Sequence, residues 1–180
     1  NFVRIDMEDS STTDSALRLY RELVGDGRAN LGVVLQSRLR RTLADARGLR
    51  NVRLCKGIYL EPREIAYQDA DEIRESFRAT LRALLDQGSY VAIATHDELL
   101  IRDALAQVRE RALSADSYEF QMLLGVRSGR AAELVRAGHR LRVYVPYGTH
   151  WYEYSVRRLQ ENPRIAGYVA TDTVRRLIGR

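Results

Sequence analysis

Six short β-rich runs punctuate the chain, at residues 2–5, 32–36, 52–55, 90–95, 118–123 and 141–145. Segments with helical periodicity separate them. The clearest spans residues 69–87, where Ile73, Phe77, Leu81, Leu84 and Leu85 trace one apolar stripe among charged neighbours. Its cap is not evident from the residues alone. Earlier, Thr13 and Asp14 are expected to cap a helix carrying Leu17, Tyr20 and Val24 that ends near Gly25 and Gly27. Residues 97–109 carry Leu99, Ile101, Leu105 and Val108 as the expected stripe of a further helix, and residues 129–137 supply the next. A shorter, Arg-rich helical segment is expected at 38–46. After the last strand, residues 151–160 again read as helix, placing Tyr154, Arg157, Arg158 and Glu161 on one face.

Unbroken strand–helix alternation predicts parallel strands joined by helical crossovers. An open doubly wound sheet and a closed barrel both satisfy it. Polar residues recur where the β-runs end: Asp6, Gln36, Lys56, Thr95 with His96, Gln121 and Tyr144. Convergence of many strand ends on one mouth is a barrel property, and the Gly-rich phosphate fingerprint of the open sheet is absent. The expected fold is therefore α/β, a (β/α)8 TIM-type barrel. Six strands in 180 residues supply roughly its last six strand–helix units. Residues 1–180 are then expected to be part of one catalytic barrel domain, with the first units upstream of residue 1.

Each strand-end residue also has an ordinary reading. Asp6 can be a loop cap, Gln36 can satisfy a backbone group, Lys56 and Gly57 can form a turn, and His96 can be a satisfied strand-end histidine. The set makes an unusually polar rim, to which Arg53 adds a cation. Lys56, Thr95, His96 and the backbone at Gly57 suit phosphates, while Gln36 and Gln121 offer paired donor and acceptor atoms for a ring edge. Arg157 and Arg158 supply forked donors for a carboxylate or phosphate, walled by Tyr144 and Tyr154. An Arg157–Glu161 pair on a solvated helix face remains the alternative. No nucleophile with an adjacent base is evident, so any chemistry would fall to a cofactor.

Composition bounds the picture further. A 45% hydrophobic, 29% charged chain is ordinary for a globular domain. Cys55 is the one cysteine, which excludes an internal disulfide and points to a reducing, cytoplasmic compartment. Three scattered histidines lack metal-ligand spacing, so no metal is expected. A net charge of +5 raises a basic nucleic-acid-binding module as a rival. The interspersed acids and the missing aromatic–basic alternation argue against it. No apolar run approaches the ~20 residues that span a bilayer.

Taken in order, Val3-Arg-Ile-Asp-Met-Glu8, Val33-Val-Leu-Gln36, Val52-Arg-Leu-Cys-Lys-Gly-Ile-Tyr59, Ala94-Thr-His-Asp97, Tyr118-Glu-Phe-Gln-Met-Leu123, Arg142-Val-Tyr-Val-Pro and Tyr154-Ser-Val-Arg-Arg-Leu-Gln-Glu-Asn162 resemble the catalytic barrel of the proline dehydrogenases. The resemblance covers nearly the whole chain and matches about the last three quarters of that barrel, in its small monofunctional bacterial form. It implies FAD-dependent oxidation of L-proline to Δ1-pyrroline-5-carboxylate by hydride transfer, the first step of proline catabolism to glutamate. The residues it implies at the flavin are Asp6, Gln36, Arg53, Cys55, Lys56, Gly57, Tyr59, Thr95, His96, Asp97 and Gln121, with Arg53 beside the reacting nitrogen. Arg157 and Arg158 would pair with the proline carboxylate, Tyr144 and Tyr154 would enclose the ring, Leu123 would pack on its apolar edge, and Glu161 would orient the arginines. A further lysine of the family falls on an earlier strand, outside this sequence. The implied electron acceptor is a membrane quinone, with peripheral contact at the inner face of the cytoplasmic membrane. Asp97 departs from the family pattern, standing where some members have asparagine, and Cys55 replaces a branched apolar residue. Another FAD- or phosphate-binding barrel acting on a small amino or imino acid is the alternative reading.

Overall fold

The computed structural model describes residues 1–145, 147–149, 152, 156 and 167. The chain divides into two compact units, Asn1–Tyr118 and Glu119–Arg180. In the first unit, β1 (Val3–Ile5), β2 (Leu31–Gln36), β3 (Asn51–Cys55) and β4 (Tyr90–Ala94) alternate with α1 (Thr13–Gly25), α2 (Thr42–Asp45), α3 (Ala70–Asp86) and α4 (Glu98–Glu110). The four strands pair in parallel and in chain order.

The pairing register sorts the strand residues into two faces, because side chains alternate along a strand. Ile5, Val33, Val52 and Val91 form one row, and Leu35, Leu54 and Ile93 form the next on the same side. From Val33 and Leu35 onward these positions are fully buried, as expected of the face that α1 and α3 cover. On the other face lie Arg4 beside Gly32, then Val34, Arg53 and Ala92, then Gln36 and Cys55. Arg4 reaches across Gly32 to donate to Asn51 Oδ1 at 3.0 Å. A methyl on Gly32 would stand 2.8 Å from the Arg4 guanidinium and from the Phe2 ring, so the missing side chain makes room for that crossing. Cys55 is half-buried on the Arg53 face because it is two positions from Arg53.

The helices show how caps set phase. Asp69 caps α3 by accepting from the Asp71 and Glu72 backbone N–H groups, which settles the start that the sequence left open. Ile73, Phe77, Leu81, Leu84 and Leu85 are then all buried, each contributing roughly 1.5–3 kcal/mol. Asp97 caps α4, and its buried face is Leu100, Ile101, Ala104, Gln107 and Val108. Leu99, expected in that stripe, is 48% exposed, since the cap rotates it outward by one position. Thr13 does not cap α1. A 3-10 turn, Ser10–Thr12, precedes that helix with Asp9 as its cap, and buried Thr13 donates its hydroxyl to Met7 Sδ at 3.5 Å. The Arg-rich helix expected at 38–46 contracts to the single turn of α2.

In the second unit, β5 (Tyr118–Leu123, whose first residue closes the first unit) and β6 (Leu141–Tyr144) pair in parallel, joined through α5 (Ser128–Arg136). His139 stacks edge-on against Phe120 at 5.7 Å between ring centres. Each of the six strands lies within one residue of its expected bounds.

Candidate functional site

Because β1 to β4 are parallel and sequential, their C-terminal ends lie along one edge of the first unit, and every polar residue expected there is found there. At the end of β1, the Asp6 carboxylate accepts from the Met7 N–H at 2.9 Å. At the end of β2, buried Gln36 donates its amide to the Glu8 carbonyl. Its own carbonyl oxygen accepts from the Thr42 hydroxyl, fastening the strand end to α2. Cys55 Sγ lies 3.6 Å from the Leu35 carbonyl.

β3 ends in the sequence Lys56-Gly57. Gly57 has φ +88°, a left-handed conformation that glycine adopts without steric cost. A methyl there would sit 2.5 Å from Gln36 Oε1, so the turn brings the backbone directly against the β2 amide. Arg38 also closes on it, its Nε donating to the Gly57 carbonyl at 3.3 Å. Farther along this loop, the Tyr59 hydroxyl donates to the Glu8 carboxylate. Glu61 accepts from both the backbone N–H and the hydroxyl of Ser10, at 2.6 and 2.8 Å. Glu8 and Glu61, neither of which was a candidate site residue, thus tie the β3–α3 loop to the β1–α1 loop.

At the end of β4, buried Thr95 accepts from the Asp97 N–H at 3.1 Å, with His96 half-buried between them. Asp97 Oδ1 accepts from the Leu99 N–H, while Oδ2 accepts from Lys56 Nζ at 3.1 Å and Arg74 Nε at 2.8 Å. Burial raises the Asp97 pKa, yet the neighbouring Arg74 and Lys56 outweigh it and hold the carboxyl below its usual range. Arg53 projects from the middle of β3 on the face shared with Gln36, one layer below the rim. The edge therefore gathers amide, hydroxyl, imidazole and several cationic groups, a donor-rich surface that can bind phosphate and the polar edge of a ring.

The second unit has a layered face of its own. Leu123 pairs in register with Tyr144, and Gln121 with Arg142, all on one side of the two strands. Glu119, two residues before Gln121, is 3% exposed yet ionisable. Arg142 grips it with both ends of its fork, Nε to Oε1 at 2.8 Å and Nη2 to Oε2 at 3.0 Å, while Gln121 Nε2 donates to Oε1 at 2.6 Å. An apolar and an aromatic side chain at the strand ends thus stand above an ion-paired layer. Leu123, Gln121 and Tyr144 were candidates from the sequence, whereas Glu119 and Arg142, which share their face, were not. Their signal was the Glu-x-Gln alternation, which places both side chains on one face. Tyr154, Arg157, Arg158 and Glu161 lie outside the described residues. Among the described residues, no three potential metal ligands cluster, and no helix is long and apolar enough to cross a membrane.

Comparison with known proteins agrees with this architecture. The family profile described as proline dehydrogenase matches residues 1–171. A proline dehydrogenase of Deinococcus radiodurans is 42% identical over 173 residues, covering 93% of this chain and 56% of the relative. Proline dehydrogenase 1 of Bacillus subtilis is 40% identical over 171 residues, again covering 93% of this chain and 56% of the relative. The chain thus spans about half the length of the curated relatives it matches. The crystal structure of proline utilization A from Bdellovibrio bacteriovorus, inactivated by N-propargylglycine, superposes with a TM-score of 0.82 at 28% identity, over 89% of this chain and 20% of that one. The α/β, TIM-barrel fold class expected from strand–helix alternation is the fold of this chain.

Proposed function

This chain belongs to the proline dehydrogenase family, and from that membership we propose that the protein containing it oxidises L-proline to Δ1-pyrroline-5-carboxylate with FAD as cofactor. The observation that supports this reading best is the run of polar groups at four adjacent parallel strand ends, Asp6 to Asp97, in the order the family resemblance requires.

The first unit fits the cofactor on its own terms. Lys56 has three N–H donors, and the described contacts use one of them, on Asp97. Its side chain is 41% exposed, so the ammonium can reach an incoming phosphate. Gly57, next in the chain to Lys56, packs closely on Gln36 at a turn with no room for a side chain. Gln36, Lys56, Gly57, Tyr59, Thr95 and His96 would hold the dinucleotide, with Asp6, Cys55 and Gln121 assigned to it by the resemblance; Asp97, whose two oxygens are taken by the Leu99 N–H, Lys56 and Arg74, would act on it only through Lys56. When bound, FAD supplies the hydride acceptor. Arg53, a permanent cation, would stabilise negative charge developing on the ring system.

For the substrate, Tyr144 and Leu123 share one face of the second unit and offer an aromatic and an aliphatic wall to a saturated ring. Arg157 and Arg158 would fix the carboxylate and hence the carbon presented, Tyr154 would complete the enclosure, and Glu161 would orient the guanidiniums. These four assignments rest on the resemblance. A quinone acceptor, with peripheral contact at the inner face of the cytoplasmic membrane, belongs to the same proposal.

The full-length protein, purified and deaerated, should show a flavin absorption spectrum that bleaches on addition of L-proline. A colourless protein that also fails to take up added FAD would overturn the cofactor reading. A yellow protein that bleaches only with another imino or amino acid would move it to a different substrate.

A further inference from the structure

Arg74 lies on the second turn of α3, and its guanidinium crosses to the neighbouring strand–helix connection. Nε donates to Asp97 Oδ2 at 2.8 Å and Nη1 to Asp71 Oδ1 at 2.6 Å. The same Asp97 oxygen also receives Lys56 Nζ, at 3.1 Å. A helix cap needs only an acceptor for the first backbone N–H groups, which Asp97 Oδ1 already provides through Leu99. Two full cations on the other oxygen of one carboxylate are more than capping requires.

The two cations are not equivalent. Arg74 makes the shorter bond and its side chain is 16% exposed, so its attraction to Asp97 acts through less solvent than that of the more exposed Lys56. Asp97 is itself only 10% exposed and can neutralise one unit of positive charge, leaving Lys56, Arg74 and Asp97 together with one positive charge in excess. Asp71 is 85% exposed, so solvent screens its share. Arg74 is thus the resident counter-ion of Asp97, and Lys56 is the cation able to leave.

Resting on the FAD reading above, we propose that Arg74 is a positioning residue for cofactor binding, compensating Asp97 so that the Lys56 ammonium can be given to a dinucleotide phosphate. Without Arg74, Lys56 becomes the main partner of a buried carboxylate, and drawing it onto an anion would strand that charge.

The test is a double-mutant cycle on full-length apoprotein, titrated with FAD and followed by flavin fluorescence, with thermal melts of each cofactor-free variant alongside. Arg74→Gln should weaken FAD binding about tenfold. Arg74→Lys, which keeps the charge, should stay within about threefold of wild type. Asp97→Asn, which keeps a capping acceptor and releases Lys56, should bind FAD at least as tightly as wild type. In the Asp97→Asn background, Arg74→Gln should cost less than about twofold, since no carboxylate then needs compensation. An equal loss in both backgrounds would mean that Arg74 attracts FAD directly or acts on the fold, and the inference would fail. Weaker binding by Asp97→Asn alone would also overturn it, even if Arg74→Gln did not fold. A wild-type apoprotein that takes up no FAD sinks the functional reading and this inference with it. Normal uptake without bleaching by L-proline removes only the substrate assignment.

Discussion

Replacing Gly57 by alanine probes the contact on which the β2 and β3 ends depend. The added methyl meets two separate penalties. At φ +88° an L-residue is disfavoured by roughly 1–2 kcal/mol. The methyl would also lie 2.5 Å from Gln36 Oε1 and 3.1 Å from Gln36 Cβ. The Cβ is fixed to the strand, so the amide must swing away, and its bond to the Glu8 carbonyl is lost at about 0.5–1.5 kcal/mol. Alanine stiffens the unfolded chain, which offsets about 0.4–1 kcal/mol. The net expectation is about 2 kcal/mol of destabilisation, or roughly 30-fold in the folded-to-unfolded ratio. Gly88→Ala is the control, because Gly88 has φ +76° with nothing within 4 Å of the added methyl. That variant carries the backbone penalty alone, so it should lose about 1 kcal/mol less than Gly57→Ala. Urea unfolding of both variants in cofactor-free full-length protein measures the difference. Equal losses would refute the Gly57–Gln36 contact, and with it the claim that β2 and β3 present a joined rim.

Three further perturbations test other parts of the structure. Arg142→Met should destabilise the protein by about 2 kcal/mol by depriving buried Glu119 of its forked partner. That is less than for a fully buried pair because Arg142 is itself 64% exposed, and adding Glu119→Gln should recover part of the loss in denaturant unfolding. Arg158→Met should raise the KM for L-proline by roughly tenfold or more while leaving FAD content near wild type, since a charge-assisted carboxylate contact contributes about 1.5–3 kcal/mol. Unchanged proline kinetics would refute the carboxylate assignment. Asp97 has a folded-state pKa below its ordinary 3.8, so its contribution to stability is fully present above that pH and is lost as pH falls through the folded value. Asp97→Asn should therefore flatten the acid limb of the stability profile below about pH 4 without changing its slope near neutrality.

What could be read in advance, and what could not, divides along physical lines. The strands were legible because parallel strands covered on one face and lining a mouth on the other become near-continuous apolar runs ending in a polar residue, as Leu31–Gln36 does. Helix existence was legible from periodicity, but phase was not. Leu99 and Leu100 are equally apolar, and only the Asp97 cap decides which one faces the core. Polar residues at strand ends were legible for the same topological reason. Their partners were not, because register and crossover geometry set them: Lys56 meets Asp97 across 41 positions, and Arg142 meets Glu119 across 23. Lys56 read from sequence is a hydrogen-bond donor to phosphate, whereas in the fold its charge is partly committed to a carboxylate that a third residue, Arg74, helps to compensate. The affinity of such a rim for an anion therefore depends on charges held behind it as well as on the residues that touch the ligand. That balance is set where α3 packs beside α4, two helices that the sequence alone would have treated only as scaffold.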